Sequence, residues 1–224
     1  MTSKTLQNRL NQFIKQVTIY PVSCECLANG RSDFEWLEAV LAGGAKIVQL
    51  RDKKSTDRCL YEKAVGFREK TRQAGCLLII NNRLDIALAV QADGIHLGNS
   101  DLPAEQARRL APDLIIGVSA NTEAQAASAA ERGASYFNIG PIFPTKTKEG
   151  LSNFLGPEAI GKFSIHSQLP FTVMGGIKFR HIEELTARGA QRIAVVTALS
   201  QAKDIAGETS KWHRKIRQRS VSAP

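Results

Sequence analysis

The string Gln49-Leu50-Arg51-Asp52-Lys53 puts an amide and two cations on alternate residues. On an extended chain those three side chains point to one side. An arginine fork beside a mobile ammonium suits a diphosphate, although the same string taken alone also describes a solvated turn. Further on, Asn81-Asn82 and the segment HLGNSD, ending in Asp101, supply oxygen atoms. Beside a basic cluster, such oxygens are how Mg2+ is held when a substrate's phosphates and water complete its shell. Asp101 has a second reading, because DLPAEQARRL follows it and Asp then Pro is a good helix opening. His96 reads as an interior hydrogen-bonding residue rather than a ligand.

A second group of candidates suits a second anion. GPIFPTKTKEG offers hydroxyls from Thr145 and Thr147 and charge from Lys146 and Lys148, braced by Pro141 and Pro144 and followed by Gly150. It reads either as a loop that wraps an anion, with Gly150 allowing a turn or lid, or as a charged surface loop. Ser119 ends one apolar segment, Gly175-Gly176 another, and Val196-Thr197 a third. Backbone N–H groups after such segments bind phosphate in many barrels, while a glycine pair also serves tight packing.

These residues follow a series of short apolar segments rich in β-branched residues. The segments are TIYPVS from 18, KIVQL from 46, LLIIN from 77, GIHL from 94, LIIGVS from 114, YFNIG from 136, FTVMG from 171 and RIAVV from 192. They are continuous rather than alternating, as parallel strands covered on both faces should be. Between them lie helical stretches such as DFEWLEAVLAGG, opening at Ser32 or Asp33, and TEAQAASAAERGA, running to Gly133. Eight such units predict a single-domain α/β fold, a (β/α)8 TIM barrel spanning 1–224, with its site at the C-terminal strand ends. A doubly wound open sheet is the architectural alternative. Residues 1–16 read as a short helical extension that caps the barrel or touches a second copy in a homodimer.

The 224 residues, 43% apolar and 23% charged, suffice for one sizeable core. No apolar run approaches a membrane span and the first residues lack a secretory pattern, so the chain reads as cytoplasmic. Cys24, Cys26, Cys59 and Cys76 match no familiar zinc spacing and read as reduced thiols. The net charge of +9 admits nucleic acid or anionic small molecules. Much of the excess lies in the basic C-terminal end, 211–224, where KWHRKIRQR reads as a solvated helix end rather than a nucleic-acid contact.

In order and spacing, VQLRDK, IINNRLDIALAVQADGIHLGNSD, GVSANT, GPIFPTKTK, GGI and VVTAL resemble the thiamine phosphate synthase family over roughly residues 18 to 200. The resemblance implies a Mg2+-dependent transferase that joins hydroxymethylpyrimidine diphosphate to a thiazole phosphate, releasing pyrophosphate by a dissociative route. It implies that Gln49, Arg51, Lys53, Asn81, Ser119 and Lys148 hold the pyrimidine diphosphate. Thr145, Lys146, Thr147, Gly176, Val196 and Thr197 would hold the thiazole phosphate, and Arg51, Lys53 and Lys148 would stabilise the leaving group. Asp101 and Asn82 would take the metal. The family pattern has Asp where this chain has Asn82, Gln where it has Asn99, and Asp-Gly where it has Gln191-Arg192. The loss of one carboxylate implies weaker metal binding. The alternatives are a thiazole tautomerase-like or non-catalytic phosphate-ligand-binding paralogue, and a nucleic-acid-binding barrel. Tautomerases of this kind use a His after strand 5, where this chain has Ser119-Ala120-Asn121.

Overall fold

The computed structural model describes residues 3–145, 147 and 153–221. Helix α1 (Lys4–Gln16) leads into β1 (Ile19–Pro21), α2 (Asp33–Ala42), β2 (Ile47–Leu50), α3 (Asp57–Gln73), β3 (Leu77–Asn81), α4 (Leu84–Ala89), β4 (Gly94–Leu97) and α5 (Ala104–Leu110). The second half runs β5 (Ile115–Ala120), α6 (Glu123–Ser128), β6 (Tyr136–Ile139), α7 (Ala159–Ser164), β7 (Phe171–Val173), α8 (Ile182–Ala187), β8 (Ile193–Val195), α9 (Thr197–Ser200) and α10 (Ile205–Val221). From β2 to β8 consecutive strands pair in parallel, and β8 also pairs with β1. The ring closes where Val22 bridges Gln49 and the Ser23 N–H donates to the Gln49 carbonyl at 2.9 Å. That closure excludes the open sheet and gives the expected (β/α)8 barrel.

Alternation along each strand sorts the apolar residues into two cores. Val48, Leu50, Leu78, Ile80, Ile116 and Phe137 face outward and pack with Trp36, Leu37, Phe67 and Trp212 of the helices. Ile47, Leu77, Ile79, Ile115, Tyr136 and Ala194 face the axis, where Leu6 and Phe13 of α1 join them. Both faces being covered explains why the strands read as unbroken apolar runs.

Helix α1 closes the bottom of the barrel. Phe13 stacks on Tyr136 with ring centroids 4.8 Å apart. The Arg192 guanidinium lies over the same Phe13 ring and donates to the carbonyls of Phe13 at 3.2 Å and Ile14 at 2.7 Å. A cation on the last carbonyls of a helix suits the helix dipole, so Arg192 at the start of β8 has a local structural task. Arg9 adds an ion pair to Asp93 at 3.3 Å.

The helix starts follow local chemistry. Ser32 and Glu35 form a reciprocal capping box on α2, and Thr122 with Gln125 does the same on α6. Helix α6 ends at Ser128, five residues before Gly133, because the chain there goes over to turns. In the basic α10, Lys211 pairs with Glu208 and Lys215 with Glu183 while Trp212 is buried, as a solvated helix face requires. Among the described residues no helix is long and apolar enough to cross a membrane.

Candidate active site

At the C-terminal ends of the strands the inward positions turn polar. Asn81 Nδ2 donates to Gln49 Oε1 at 3.0 Å, and Gln49 Nε2 donates to the Tyr20 hydroxyl at 3.0 Å. The Tyr20 and Tyr136 hydroxyls lie 3.1 Å apart. Tyr136 meets His96 Nδ1 at 3.0 Å, and His96 Nε2 meets Ser119 Oγ at 3.2 Å. Gln49, Asn81 and Ser119, three residues expected at one site, are thus bonded into one layer, with His96 as the expected interior residue. Burial pulls the His96 pKa down to about 4 and raises that of both tyrosines. Sequence reasoning missed Tyr20, Tyr136, Asn138 and Thr172. Thr172 donates to Asn138 Oδ1 at 2.7 Å. Their signal is a polar group on the inward phase of an apolar strand.

Arg51 follows β2 above this layer. Its backbone N–H donates to Ser23 Oγ at 3.0 Å, and its guanidinium donates to Cys24 Sγ at 3.7 Å. Asp52 turns the other way, accepting from the N–H groups of Lys54 and Ser55 at 3.0 Å each and from Ser55 Oγ at 2.7 Å. Lys53, the next residue in sequence, is exposed. The turn is anchored from outside by Lys63 of α3, whose Nζ donates to Glu25 at 2.8 Å, Asp33 at 2.7 Å and Asp52 at 2.8 Å. Those three carboxylates form the one acidic cluster of metal-binding size among the described residues, and an ammonium lies among them. Burial alone would raise the Asp52 pKa, but Lys63, Ser55 and the two N–H groups hold it well below the carboxylate range. For Asp33 burial outweighs Lys63 and the pKa rises.

Asn82 and Asp101 meet at the mouth: Asn82 Nδ2 donates to Asp101 Oδ1 at 2.7 Å, and the Gly98 N–H donates to Oδ2 at 2.6 Å. Asp101 therefore does not cap α5, as one reading of DLPAEQARRL expected. That helix starts at Ala104, with Pro103 before it and no side-chain cap. As a test of fit for Mg2+, the pair supplies one carboxylate and one amide at a single place. This suits an ion held mainly by a substrate's phosphates. Asn82 has φ +64, a left-handed conformation that Asn and Asp tolerate better than most residues.

Of the second group, Thr145 and Thr147 lie on the loop after β6 and Gly176 lies against it. The Ile142 N–H donates to the Met174 carbonyl at 2.9 Å and the Phe143 N–H to the Gly175 carbonyl at 3.0 Å, fastening the loop to the end of β7. Thr145 and Thr147 hydroxyls lie 3.1 Å apart. Lys146, Lys148 and Gly150 fall outside the described residues. Val196 and Thr197 follow β8, the neighbour of β7, and Thr197 borders with Lys178, Lys203 and Lys211 a cavity of about 550 Å3. Gly176 has φ +61, and a Cβ there would come within 2.3 Å of the Pro144 carbonyl oxygen. Gly176→Ala is accordingly expected to destabilise the fold by about 1–3 kcal/mol, read as a lower urea midpoint at unchanged slope.

Comparison with known proteins agrees with this geometry. The family model described as thiamine monophosphate synthase matches residues 19–199. A thiamine-phosphate synthase of Pelotomaculum thermopropionicum is 41% identical over 191 residues, 85% of this chain and 88% of that protein. One from Methanospirillum hungatei is 42% identical over 195 residues, 87% of this chain and 95% of its own length. The solved thiamine phosphate pyrophosphorylase from Pyrococcus furiosus superposes with a TM-score of 0.84 at 31% identity, covering 94% of this chain and 98% of that one. A 3-hexulose-6-phosphate synthase, at TM-score 0.67 and 14% identity, shares the barrel. With the closed barrel, the polar layer at its mouth and a match over most of the length, the chain belongs to the thiamine monophosphate synthase family.

Proposed function

We propose that this chain is a thiamine-phosphate synthase, joining hydroxymethylpyrimidine diphosphate to a thiazole phosphate and releasing pyrophosphate. The observation that carries the reading is the convergence of Gln49, Asn81 and Ser119, from three strands, in one bonded layer below Arg51. In this reading Gln49, Asn81 and Ser119 orient the pyrimidine. Arg51, Lys53 and Lys148 hold the diphosphate and take up the charge that develops as it leaves. Thr145, Lys146, Thr147, Gly176, Val196 and Thr197 hold the thiazole phosphate so that its ring nitrogen faces the carbon losing the diphosphate. Catalysis is positional and electrostatic, and no side chain needs to form a covalent bond. Asp101 and Asn82 would hold Mg2+, which when bound neutralises phosphate charge.

The test is purified protein with both substrates and Mg2+, followed for thiamine phosphate and pyrophosphate. No product from wild type or Asn82→Asp at high enzyme concentration defeats the reading. The same variant probes the metal. Asp fits the left-handed backbone, replaces a neutral donor with a charged ligand, and is expected to lower the half-saturating Mg2+ about tenfold, or about 1.4 kcal/mol. An unchanged Mg2+ dependence would place the ion elsewhere.

A further inference from the structure

We infer that Tyr20, Tyr136 and His96 are positioning residues. The hydrogen-bond chain they complete runs in one sense across the barrel, leaving an acceptor at Asn81 and a donor at Ser119. The inference rests on the pyrimidine assignment proposed above and deepens it, because those two ends would select an amino-substituted N-heteroaromatic ring.

The sense of the chain follows from counting hydrogens. Gln49 Nε2 donates a hydrogen bond to the Tyr20 oxygen, so the Tyr20 hydrogen is free for Tyr136, 3.1 Å away. The opposite sense would strand that hydrogen without a partner in a core where Tyr20 is 1% exposed, which a buried hydroxyl avoids. Tyr136 then gives its hydrogen to His96 Nδ1, 3.0 Å away. An accepting Nδ1 means a neutral ring with its hydrogen on Nε2, directed to Ser119 Oγ at 3.2 Å. Ser119 receives that bond and keeps its own hydrogen to give. At the other end Asn81 Nδ2 is engaged by Gln49, while its Oδ1 is buried with no hydrogen-bond partner among the described residues. The fold makes room for this chain at Gly117, where a Cβ would lie 2.1 Å from the Tyr136 ring. Without a side chain at that point of β5, the phenol reaches the histidine of β4.

A ring with an amino group for Asn81 and an acceptor nitrogen for Ser119 matches both ends. A ring with oxygen in place of the amino group faces Asn81 with a second acceptor. The experiment has two arms. In the first, 1H–15N correlation spectra of the 15N-histidine-labelled protein, assigned with a His96→Asn variant, read the His96 tautomer at pH 8. The Nε2–H form is expected, giving way to a mixture in Tyr136→Phe. In the second, calorimetry compares the amino- and oxo-pyrimidine diphosphates. Wild type is expected to prefer the amino form by about a hundredfold, Tyr136→Phe and Tyr20→Phe by less than about tenfold, with thiazole phosphate affinity unchanged in all. An Nδ1–H tautomer in wild type, or a full preference retained in both folded Phe variants, overturns the inference. If neither pyrimidine binds wild type although His96 is in the Nε2–H form, the substrate assignment fails and takes the positioning role with it, while the bond sequence itself stands.

Discussion

Arg51→Ala is expected to lower kcat/KM for the pyrimidine diphosphate about a hundredfold, with little change in KM for the thiazole phosphate. The residue is fixed at its root by the Ser23 Oγ bond and lies above the layer that orients the ring. A guanidinium meets a diphosphate through two parallel charge-assisted bonds, each worth about 1.5–3 kcal/mol. Losing about 2.7 kcal/mol from the transition state gives the stated factor. Arg51→Lys keeps the charge and loses the fork, so it should recover only part of the activity. Steady-state kinetics at fixed Mg2+ measure both variants, and near-wild-type values for the alanine variant would remove Arg51 from the diphosphate site.

Lys63→Met should cost about 3–5 kcal/mol of stability, because it removes the ammonium that three carboxylates share, two of them largely buried. Asp33 and Asp52 side chains are 2% and 10% exposed, and Lys63 itself only 15%. Methionine keeps most of the apolar stem, so the loss reports the charge rather than the packing. Adding Asp33→Asn should recover part of it. The depressed Asp52 pKa sets the pH window: its stabilising contribution is complete above the ordinary carboxylate value of about 4 and is lost as acid protonates it below that. Urea midpoints at neutral pH and near pH 3 check this, and a loss under about 1 kcal/mol at neutral pH would show that the cluster does not depend on Lys63. Since Asp52 adjoins Arg51 and Lys53, the variant should also weaken diphosphate binding.

The strands were legible because a parallel barrel buries both faces, so LLIIN and GIHL could be placed to the residue. Gln49, Asn81 and Ser119 were legible because each interrupts an apolar run at its C-terminal end. Tyr20 and Tyr136 were not, since a tyrosine inside a strand looks the same whether its hydroxyl joins a polar chain or reaches solvent. Lys63 was hidden for a different reason. It is one of many charges on α3, and its partners come from segments up to 38 residues away. DLP after strand 4 suggested a cap, but Pro103 took the position before α5 and left the Asp101 carboxylate to Gly98 and Asn82. Arg192 reads in the sequence as a mere departure from the family pattern, because its partners at the end of α1, Phe13 and Ile14, lie 179 and 178 residues earlier in the chain.

The left-handed backbone at Asn82 has a bearing on inheritance. Codons for Asn and Asp differ by a single base, and both side chains suit that conformation. The charge beside Asp101 can therefore be gained or lost in one mutational step without rebuilding the loop, which makes this position an accessible point at which lineages of such a barrel could diverge in their demand for a divalent ion.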